Sequence, residues 1–356
     1  MNSRASNRAE ALDAFVFPER PANAPQGLTQ ASKKYKRHAT IAMLSLLAFV
    51  LAYVALTAWF AWTAYKIFAN LGSYEGSLWV LIAGICSALL ALFMIKSLFT
   101  FQKGAASRDM ELKQKDHPRL FNFLHTIAKE TGAPRPHRVF LSPRVNAAVF
   151  YDISFLNLFF PSKKNLEIGL GLVNTLNLSE FKAVLAHEFG HFAQKSMAVG
   201  RWVYIAQQVA TQIVNKRDMF DDFLNGVARF DLRVAWIGWI LQFVVWSIRS
   251  LTDTLLRGVI LAQRALSREM EFQADLVSVS VTGSESLINA LHKLAGADEA
   301  LERAMNFAAA ERQKRTPVKD VFAIQSRLLE HLRAIYNDPH YGAAPAPAQG
   351  APELHR

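Results

Sequence analysis

The interpretation of this chain depends most on one short stretch, His187-Glu188-Phe189-Gly190-His191. On a helix, His187 and His191 project from one face, one turn apart, so both imidazoles can bind a single zinc ion. Glu188 then lies about 100° around the helix from His187, close enough to polarise a zinc-bound water. Because three fixed residues can also occur by chance, the surrounding sequence must decide between a metal site and an ordinary half-buried helix.

The residues around this stretch predict a helix with a defined start. Ser179 is a suitable N-cap, Glu180 complements the positive end of the helix, and no proline interrupts Phe181 to Gln194. Gly190 lowers helix stability, but the lack of a side chain lets another backbone or a substrate approach near the metal. The sequence therefore predicts one helix that carries both histidines.

A zinc hydrolase of this kind has three protein ligands and leaves the fourth position to water. The best candidate for the third ligand is Glu271, 80 residues after His191, in a predicted helix from about Leu251 to Val281. Asp275 follows Glu271 by four residues and shares its face of the helix. A carboxylate at that position can accept the free ring N–H of a ligating histidine and fix its tautomer.

Two segments, residues 187–191 and Glu271-Phe272-Gln273-Ala274-Asp275, resemble the signatures of the HtpX-like and CAAX-prenyl-endopeptidase family of membrane-bound zinc metallopeptidases. The resemblance covers roughly Asp116 to Val281. It implies a gluzincin active site with one Zn²⁺ ion per chain. In that site His187, His191 and Glu271 are the metal ligands and Glu188 is the catalytic base. Asp275 does not bind the metal but supports its ligands.

The same resemblance implies that Val145 to Phe150 corresponds to the substrate-binding edge strand of the family. The residues expected to bind substrate are therefore Asn146, Ala147 and Ala148. The family usually has Asn-Ala-Phe at these positions, whereas this chain has Ala148 in third place. The difference concerns the substrate pocket and not the metal ligands.

Two uncharged segments near the N-terminus predict a transmembrane helix pair. Ala39 to Tyr65 contains 27 residues without a charge, and Gly76 to Ile95 contains 20. About 20 predominantly apolar residues are enough to cross a bilayer, and core helices of soluble proteins usually keep a polar face. The predicted partner of these helices is therefore the lipid bilayer.

Basic residues flank both predicted spans on one side, whereas the connecting loop from Lys66 to Glu75 carries a single lysine. The positive-inside rule then places the N-terminus and the catalytic domain in the cytoplasm. The expected location is a bacterial inner (plasma) membrane. The polar first 38 residues are interpreted as a cytoplasmic tail and not as a cleaved secretory signal. The flanking basic residues are Lys33, Lys34, Lys36, Arg37, Lys96, Lys103, Arg108, Lys113 and Lys115.

The net charge of +11 raises the question of nucleic-acid binding. The basic residues are scattered, and the one dense run, Lys33 to Arg37, lies beside the first predicted span. Attraction to anionic lipid headgroups accounts for such a run, and no nucleic-acid recognition motif is present. Nucleic acid is therefore not an expected partner.

The predicted fold class is α+β, mainly α, with a zincin-type metallopeptidase domain after the transmembrane pair. A helix is predicted from Pro118 to Thr131, and short apolar runs at Val139–Leu141, Asn146–Tyr151 and Leu166–Ile168 predict a small antiparallel sheet. Val234 to Ile248 is apolar but too short to span a bilayer, so additional membrane helices within 197–263 remain an open alternative.

These features divide the chain into five predicted regions. They are a basic cytoplasmic tail (1–38), two transmembrane helices (39–100), a zinc metallopeptidase domain (101–281, including the hydrophobic segment 197–263), C-terminal amphipathic helices (282–340) and a Pro/Ala-rich disordered tail (341–356). In the C-terminal region, helical runs are predicted at Glu285–Leu294, Asp298–Lys314 and Val318–Tyr336, facing solvent.

The predicted function is a membrane-anchored zinc endopeptidase that acts on membrane or misfolded polypeptides. Two alternatives stay open at the level of sequence. One is a prenyl-protein endopeptidase, which requires a lipid-accessible cavity between membrane helices. The other is a catalytically silent zinc-binding membrane scaffold or chaperone. Farnesylated peptides and unfolded membrane proteins, compared as substrates, would separate the first alternative from the main prediction.

Overall fold

The structure is a computed structural model that describes residues 17–21, 27–70, 72, 78–99, 110–151, 164–194, 202–203, 206–207 and 235–343. The chain forms two compact units. The first unit consists of Met1–Ala31, Ala105–Gln194 and Met270–Arg356, and the second of Ser32–Gly104 and Lys195–Glu269. The predicted boundaries at 38, 100 and 281 therefore differ from this division mainly because segment 195–269 groups with the N-terminal helices.

The second unit contains the apolar helices of the chain. Helix α1 spans Lys33–Ala69 and helix α2 spans Leu78–Phe99. By length and composition, Lys33–Ala69 and Leu78–Lys96 are apolar enough to cross a membrane, with mean hydropathies of 2.4 and 2.6. Many of their large apolar side chains are exposed, as at Leu51 and Trp59. Exposed apolar faces of this kind are suited to lipid.

Helix α6 begins in the second unit and is longer than predicted. It spans Ala235–Thr282, 48 residues, whereas the sequence predicted a start near Leu251. The apolar segment 235–248 is thus the first part of α6. Val245 and Ile248 are buried against Tyr53 of α1 and Met94 of α2, and the Tyr53 hydroxyl donates to the Met94 carbonyl oxygen at 2.7 Å. Most of the predicted hydrophobic segment 197–263 before residue 235 lies outside the described residues.

The first unit contains a four-stranded sheet in the order β1-β2-β4-β3. Strand β2 is parallel to β4, whereas β1 pairs with β2 and β3 with β4 in antiparallel fashion. The prediction of a purely antiparallel sheet was therefore wrong, and strand β1 was not predicted. The strands are Met110–Leu112 (β1), Val139–Ser142 (β2), Ala147–Tyr151 (β3) and Lys164–Gly169 (β4).

A close backbone crossing explains the mixed sheet. The loop between β2 and β3 passes over the end of β4 at Gly169, whose N–H donates to the Asn146 carbonyl oxygen at 2.8 Å. A Cβ atom on Gly169 would lie 2.0 Å from the Arg144 carbonyl oxygen. Because only glycine permits this approach, β4 can occupy the place between β2 and β3.

The core of the first unit lies between the sheet and its helices. These are Pro118–Thr131 (α3, as predicted), Leu170–Thr175 (α4), Leu178–Ala193 (α5), Ser284–Gln313 (α7) and Val321–Ile335 (α8). The two predicted helical runs 285–294 and 298–314 form the single helix α7. This helix is not simply solvent-facing as predicted, because Ala290, Ala297 and Ala300 are fully buried. Small alanines on one face let α7 pack closely on the core.

Candidate metal centre

Helix α5 carries residues 187–191 and has a well-defined start. Its N-cap is Asn177 and not Ser179 as predicted. The Asn177 side-chain oxygen accepts from the Glu180 N–H, and the Glu180 carboxylate accepts from the Asn177 N–H, both at 2.9 Å. Lys293 of α7 donates to both oxygens of Glu180 at 2.7 Å. This capping box fixes the helix start, and with it the position of the histidines along the helix.

A glycine on α5 brings this helix into direct backbone contact with α6. A Cβ atom on Gly190 would lie 2.9 Å from Cα and 3.2 Å from Cβ of Ala274, which is fully buried. Nearby, the Ser278 hydroxyl donates to the Ala183 carbonyl oxygen at 2.7 Å. The prediction that Gly190 admits another backbone near the metal agrees with this contact. The two helices are thereby close enough for side chains at 187 and 191 to meet those at 271 and 275.

The predicted ligands converge in the first unit. Suitable donor atoms of His187, His191 and Glu271 all lie within 4.8 Å of one another. One Glu271 oxygen, Oε2, lies 3.3 Å from Nε2 of His187 and 3.4 Å from Nε2 of His191. In a tetrahedral zinc site with metal–ligand distances of roughly 2.0–2.1 Å, neighbouring ligand atoms are roughly 3.4 Å apart. The donor set and its spacing therefore fit Zn²⁺.

Asp275 lies where a supporting carboxylate is expected. Its Oδ1 is 2.9 Å from Nδ1 of His187, the ring nitrogen that does not face Glu271. If Nδ1 carries the proton and donates it to Asp275, Nε2 keeps its lone pair for a metal. The imidazole is thus held in orientation and in the tautomer that metal binding requires.

The charges around the histidines favour a cation. Burial lowers the pKa of His187, but hydrogen bonds to Asp275 and Glu271 and the charge of Glu188 outweigh it and raise the pKa to about 9. Conversely, hydrogen bonds from His187 and His191 hold the pKa of Glu271 well below its usual range. A proton on His187 and a bound metal ion would each neutralise part of the negative charge of these carboxylates.

Glu188 lies beside the edge of the sheet. Its Oε2 accepts a hydrogen bond from the Val149 backbone N–H of β3 at 3.2 Å. Burial raises the pKa of the Glu188 carboxyl, although the charges of the two histidines and the Val149 N–H act in the opposite direction. A carboxylate with a raised pKa is suited to both accepting and donating a proton near neutral pH.

The predicted substrate-binding residues lie at the start of this edge strand. The Asn146 side chain is exposed, Ala148 is half-buried, and the Ala147 side chain is buried in the core. Ala147 can therefore meet a substrate only through its backbone. The sequence did not predict that the Val149 N–H would donate to Glu188, because a backbone hydrogen bond does not depend on the type of residue that makes it.

Two histidines one turn apart on one helix, with a carboxylate from a second helix, are the ligand set of the zinc hydrolases that keep a fourth position open. The comparisons with known proteins agree with this class. The chain matches peptidase family M48 over residues 114–340, and it belongs to that family. M48 membership supports a protease, and the family implies a metal, generally zinc.

The similar proteins are named as HtpX proteases. "Protease HtpX homolog 2" of Methanosarcina acetivorans is 26% identical over 235 residues, which cover 65% of this chain and 73% of the relative. "Protease HtpX" of Haemophilus ducreyi is 24% identical over 226 residues, 60% of this chain and 70% of the relative. "Protease HtpX homolog" of Sulfurihydrogenibium sp. is 28% identical over 218 residues, which cover 59% of this chain and 68% of the relative. No solved structure matches the chain significantly.

The contact between Gly190 and Ala274 makes a testable prediction. Gly190→Ala places a methyl group where α5 and α6 touch, and overpacking should lower the free energy of unfolding by about 1–3 kcal/mol. Zinc content should fall as well, because the candidate ligands lie on both helices. Denaturant titration and metal analysis of the detergent-purified protein measure the two effects.

Gly258→Ala is the matched control, since it adds the same methyl group within α6. A Cβ atom there meets nothing within 4 Å, so the change should be neutral or should stabilise the helix by up to about 1 kcal/mol. If Gly190→Ala had the same stability and zinc content as the wild type, the role given to this contact would be wrong.

Proposed function

We propose that this protein is a membrane-anchored zinc-dependent endopeptidase, in which His187, His191 and Glu271 bind one Zn²⁺ ion and Glu188 is the general base. One observation carries the proposal. The three candidate ligands have donor atoms within 4.8 Å of one another, and the adjacent Glu188 is hydrogen-bonded to the sheet edge at Val149. This proximity of candidate metal ligands, a candidate base and a strand that could pair with a peptide supports the proposal.

When bound, a zinc ion supplies Lewis acidity that lowers the pKa of water and polarises the scissile carbonyl. Glu188 accepts the proton that the water loses as it attacks, and then donates that proton to the departing amine nitrogen. The Val149 N–H holds the carboxylate in place for this exchange. Asp275 holds the His187 ring, and with it one ligand, through the 2.9 Å hydrogen bond.

The proposed substrate is an extended polypeptide that pairs with β3. Among the described residues, β4 is the only strand that pairs with β3. An extended segment can therefore add along the other side of β3, next to Glu188, through main-chain hydrogen bonds. Such binding depends little on side chains, which suits an enzyme that degrades misfolded or membrane polypeptides. Names of similar proteins such as "Protease HtpX" support the protease assignment.

We further propose that both ends of the α1–α2 pair and the catalytic residues face the cytoplasm of a bacterial inner membrane. The basic residues on either side of the pair support this orientation through the positive-inside rule. The two apolar helices support membrane association.

The test of the proposed function is to measure zinc content and casein hydrolysis on one detergent-purified preparation. We expect about one zinc per chain, loss of hydrolysis on treatment with a chelator, and recovery when Zn²⁺ is returned. Absence of zinc from protein purified without chelator would contradict the proposal, and so would hydrolysis that survives complete removal of the metal.

A further inference from the structure

A second feature of the first unit is a cavity of about 610 Å³ near the start of β3. It is lined on one side by the loop of residues 143–146 and on the other by helix α7. Its apolar wall includes Val145, Leu294, Leu301 and Met305. An apolar cavity of this size is large enough for a bulky side chain and part of its neighbour.

The floor of this cavity is tightly packed. Val145 and Leu301 are buried, and a Cβ atom on Gly171 of α4 would lie within 2.9 Å of both side chains. Met305, in contrast, is 45% exposed at the mouth of the cavity. A fixed floor with an adaptable methionine at the rim is suited to accepting apolar side chains of different shape.

The charged groups at the cavity are mainly acidic. Asp298 and Glu302 are four residues apart on α7 and share one face of the helix. Arg144 also lines the cavity, but its guanidinium already contacts the Glu167 carboxylate at 3.3 Å. The two carboxylates of α7 therefore favour a positively charged group next to whatever apolar group enters.

The cavity is connected to the candidate catalytic residues by β3 and the residues just before it. Asn146 lines the cavity and directly precedes β3, and Val149 of β3 donates to Glu188. Asn146 and Val145 precede Val149 by three and four residues, and Val145 lies in the bend before β3, so the separation along the chain is at most about 13 Å. A peptide paired along β3 past Glu188 would therefore reach the cavity after three to five of its own residues.

The direction of the peptide follows from the energetics of strand pairing. Antiparallel pairing is somewhat more stable per residue than parallel pairing. In an antiparallel arrangement, residues of the substrate after the scissile bond run toward the start of β3. The side chains that arrive at the cavity are then those on the C-terminal side of the cleavage point.

We propose that this cavity is a specificity site that binds an apolar substrate side chain, flanked by a basic one, three to five residues after the scissile bond. The inference rests on the proposed peptidase function and adds to it a sequence preference away from the metal. Its expected contribution is a gain of about tenfold in kcat/KM over a substrate with serine at that position. The gain should appear in KM, because the contact is made equally before and during the reaction.

The experiment uses zinc-loaded full-length protein in detergent and a set of end-blocked dodecapeptides of common sequence. One series carries a Leu-Lys pair at successive positions along the peptide, and a matched series carries Ser-Lys at the same positions. Mass spectrometry identifies the bond that is cut in each peptide. We expect kcat/KM to be highest when leucine lies three to five residues after that bond. Equal rates for leucine and serine at all these positions would overturn the inference while leaving the peptidase function intact.

Two variants of α7 show whether the preference arises in this cavity. Met305→Gln should raise KM for the leucine peptide to that of the serine peptide. Phe307→Gln, a change at a 50% exposed residue that does not line the cavity, should preserve the difference. An equal effect of the two variants would contradict the assignment of the preference to the cavity.

Direct binding keeps the inference testable even if no peptide is cut. Fluorescence anisotropy with zinc-loaded Glu188→Gln protein measures Kd for fluorescein-labelled leucine and serine peptides. Binding of the leucine peptide about tenfold tighter, lost in the double variant with Met305→Gln, would support the cavity as a binding site. Equal Kd values would overturn it. If Met305→Gln instead weakened the binding of a fatty acid and left peptide binding unchanged, the cavity would be assigned to lipid and the proposal would be overturned.

Discussion

Replacing Glu188 with glutamine is expected to lower the rate of peptide hydrolysis by about 10²- to 10⁴-fold while bound zinc remains at the wild-type level. The glutamine side chain has the size of glutamate, and its oxygen can still accept the Val149 N–H. It cannot, however, take a proton from water at neutral pH. The variant therefore separates proton transfer from both metal binding and folding.

The measurement compares zinc content and casein hydrolysis of wild-type and Glu188→Gln protein purified side by side. Glu285→Gln is the control, since Glu285 is an exposed residue in the first turn of α7 and the chemical change is identical. Full hydrolysis by Glu188→Gln would exclude Glu188 as the general base. Loss of zinc in that variant would mean that the residue supports the metal site as well.

Removal of a proposed ligand, in contrast, should weaken metal binding itself. His191→Ala leaves two of the three proposed protein ligands. We expect zinc affinity to fall by more than about 100-fold, because loss of a residue that only supports a ligand already costs up to that much. Hydrolysis should fall with metal occupancy. Competition with a chromogenic zinc chelator measures the affinity, and activity is followed on the same samples.

Asp275→Asn should give an intermediate result. Asparagine can still accept the Nδ1 proton of His187, but without the negative charge, so zinc affinity should fall by about 10- to 100-fold. His292→Ala, at an exposed histidine of α7, should change nothing. If His191→Ala and Asp275→Asn weakened zinc binding equally, the division into a ligand and a supporting residue would be wrong.

The convergence of the candidate metal site could be anticipated because helical spacing is regular. Four residues are one turn, so His187 and His191, and likewise Glu271 and Asp275, had to share faces of their helices. Gly190 indicated only that another backbone or a substrate could approach this helix, and the structure shows that the approaching residue is Ala274. The structure brings these residues together as expected, and their roles as ligands and base remain proposals.

The order of the strands could not be obtained in the same way. Alternation of apolar residues indicates which face of a strand is buried, but it does not indicate the neighbouring strand. The insertion of β4 between β2 and β3 brings Gly169 close to the connecting loop, a contact that the pattern of apolar residues does not indicate. Helix α7 was also misjudged, since four of its seven buried residues are alanines, which produce a weak hydrophobic pattern although Ala290 and Ala297 are fully buried.

The order of the candidate ligands along the chain has a consequence for biosynthesis. His187 and His191 precede the segment 195–269, which belongs to the second unit, whereas Glu271 and Asp275 follow it. A ribosome-bound chain that has been made only to residue 270 therefore lacks one ligand of the site. In the proposed enzyme, the complete metal site can therefore form only after that segment has been synthesised, so the catalytic centre depends on the synthesis of a hydrophobic segment that interrupts its own unit in the chain.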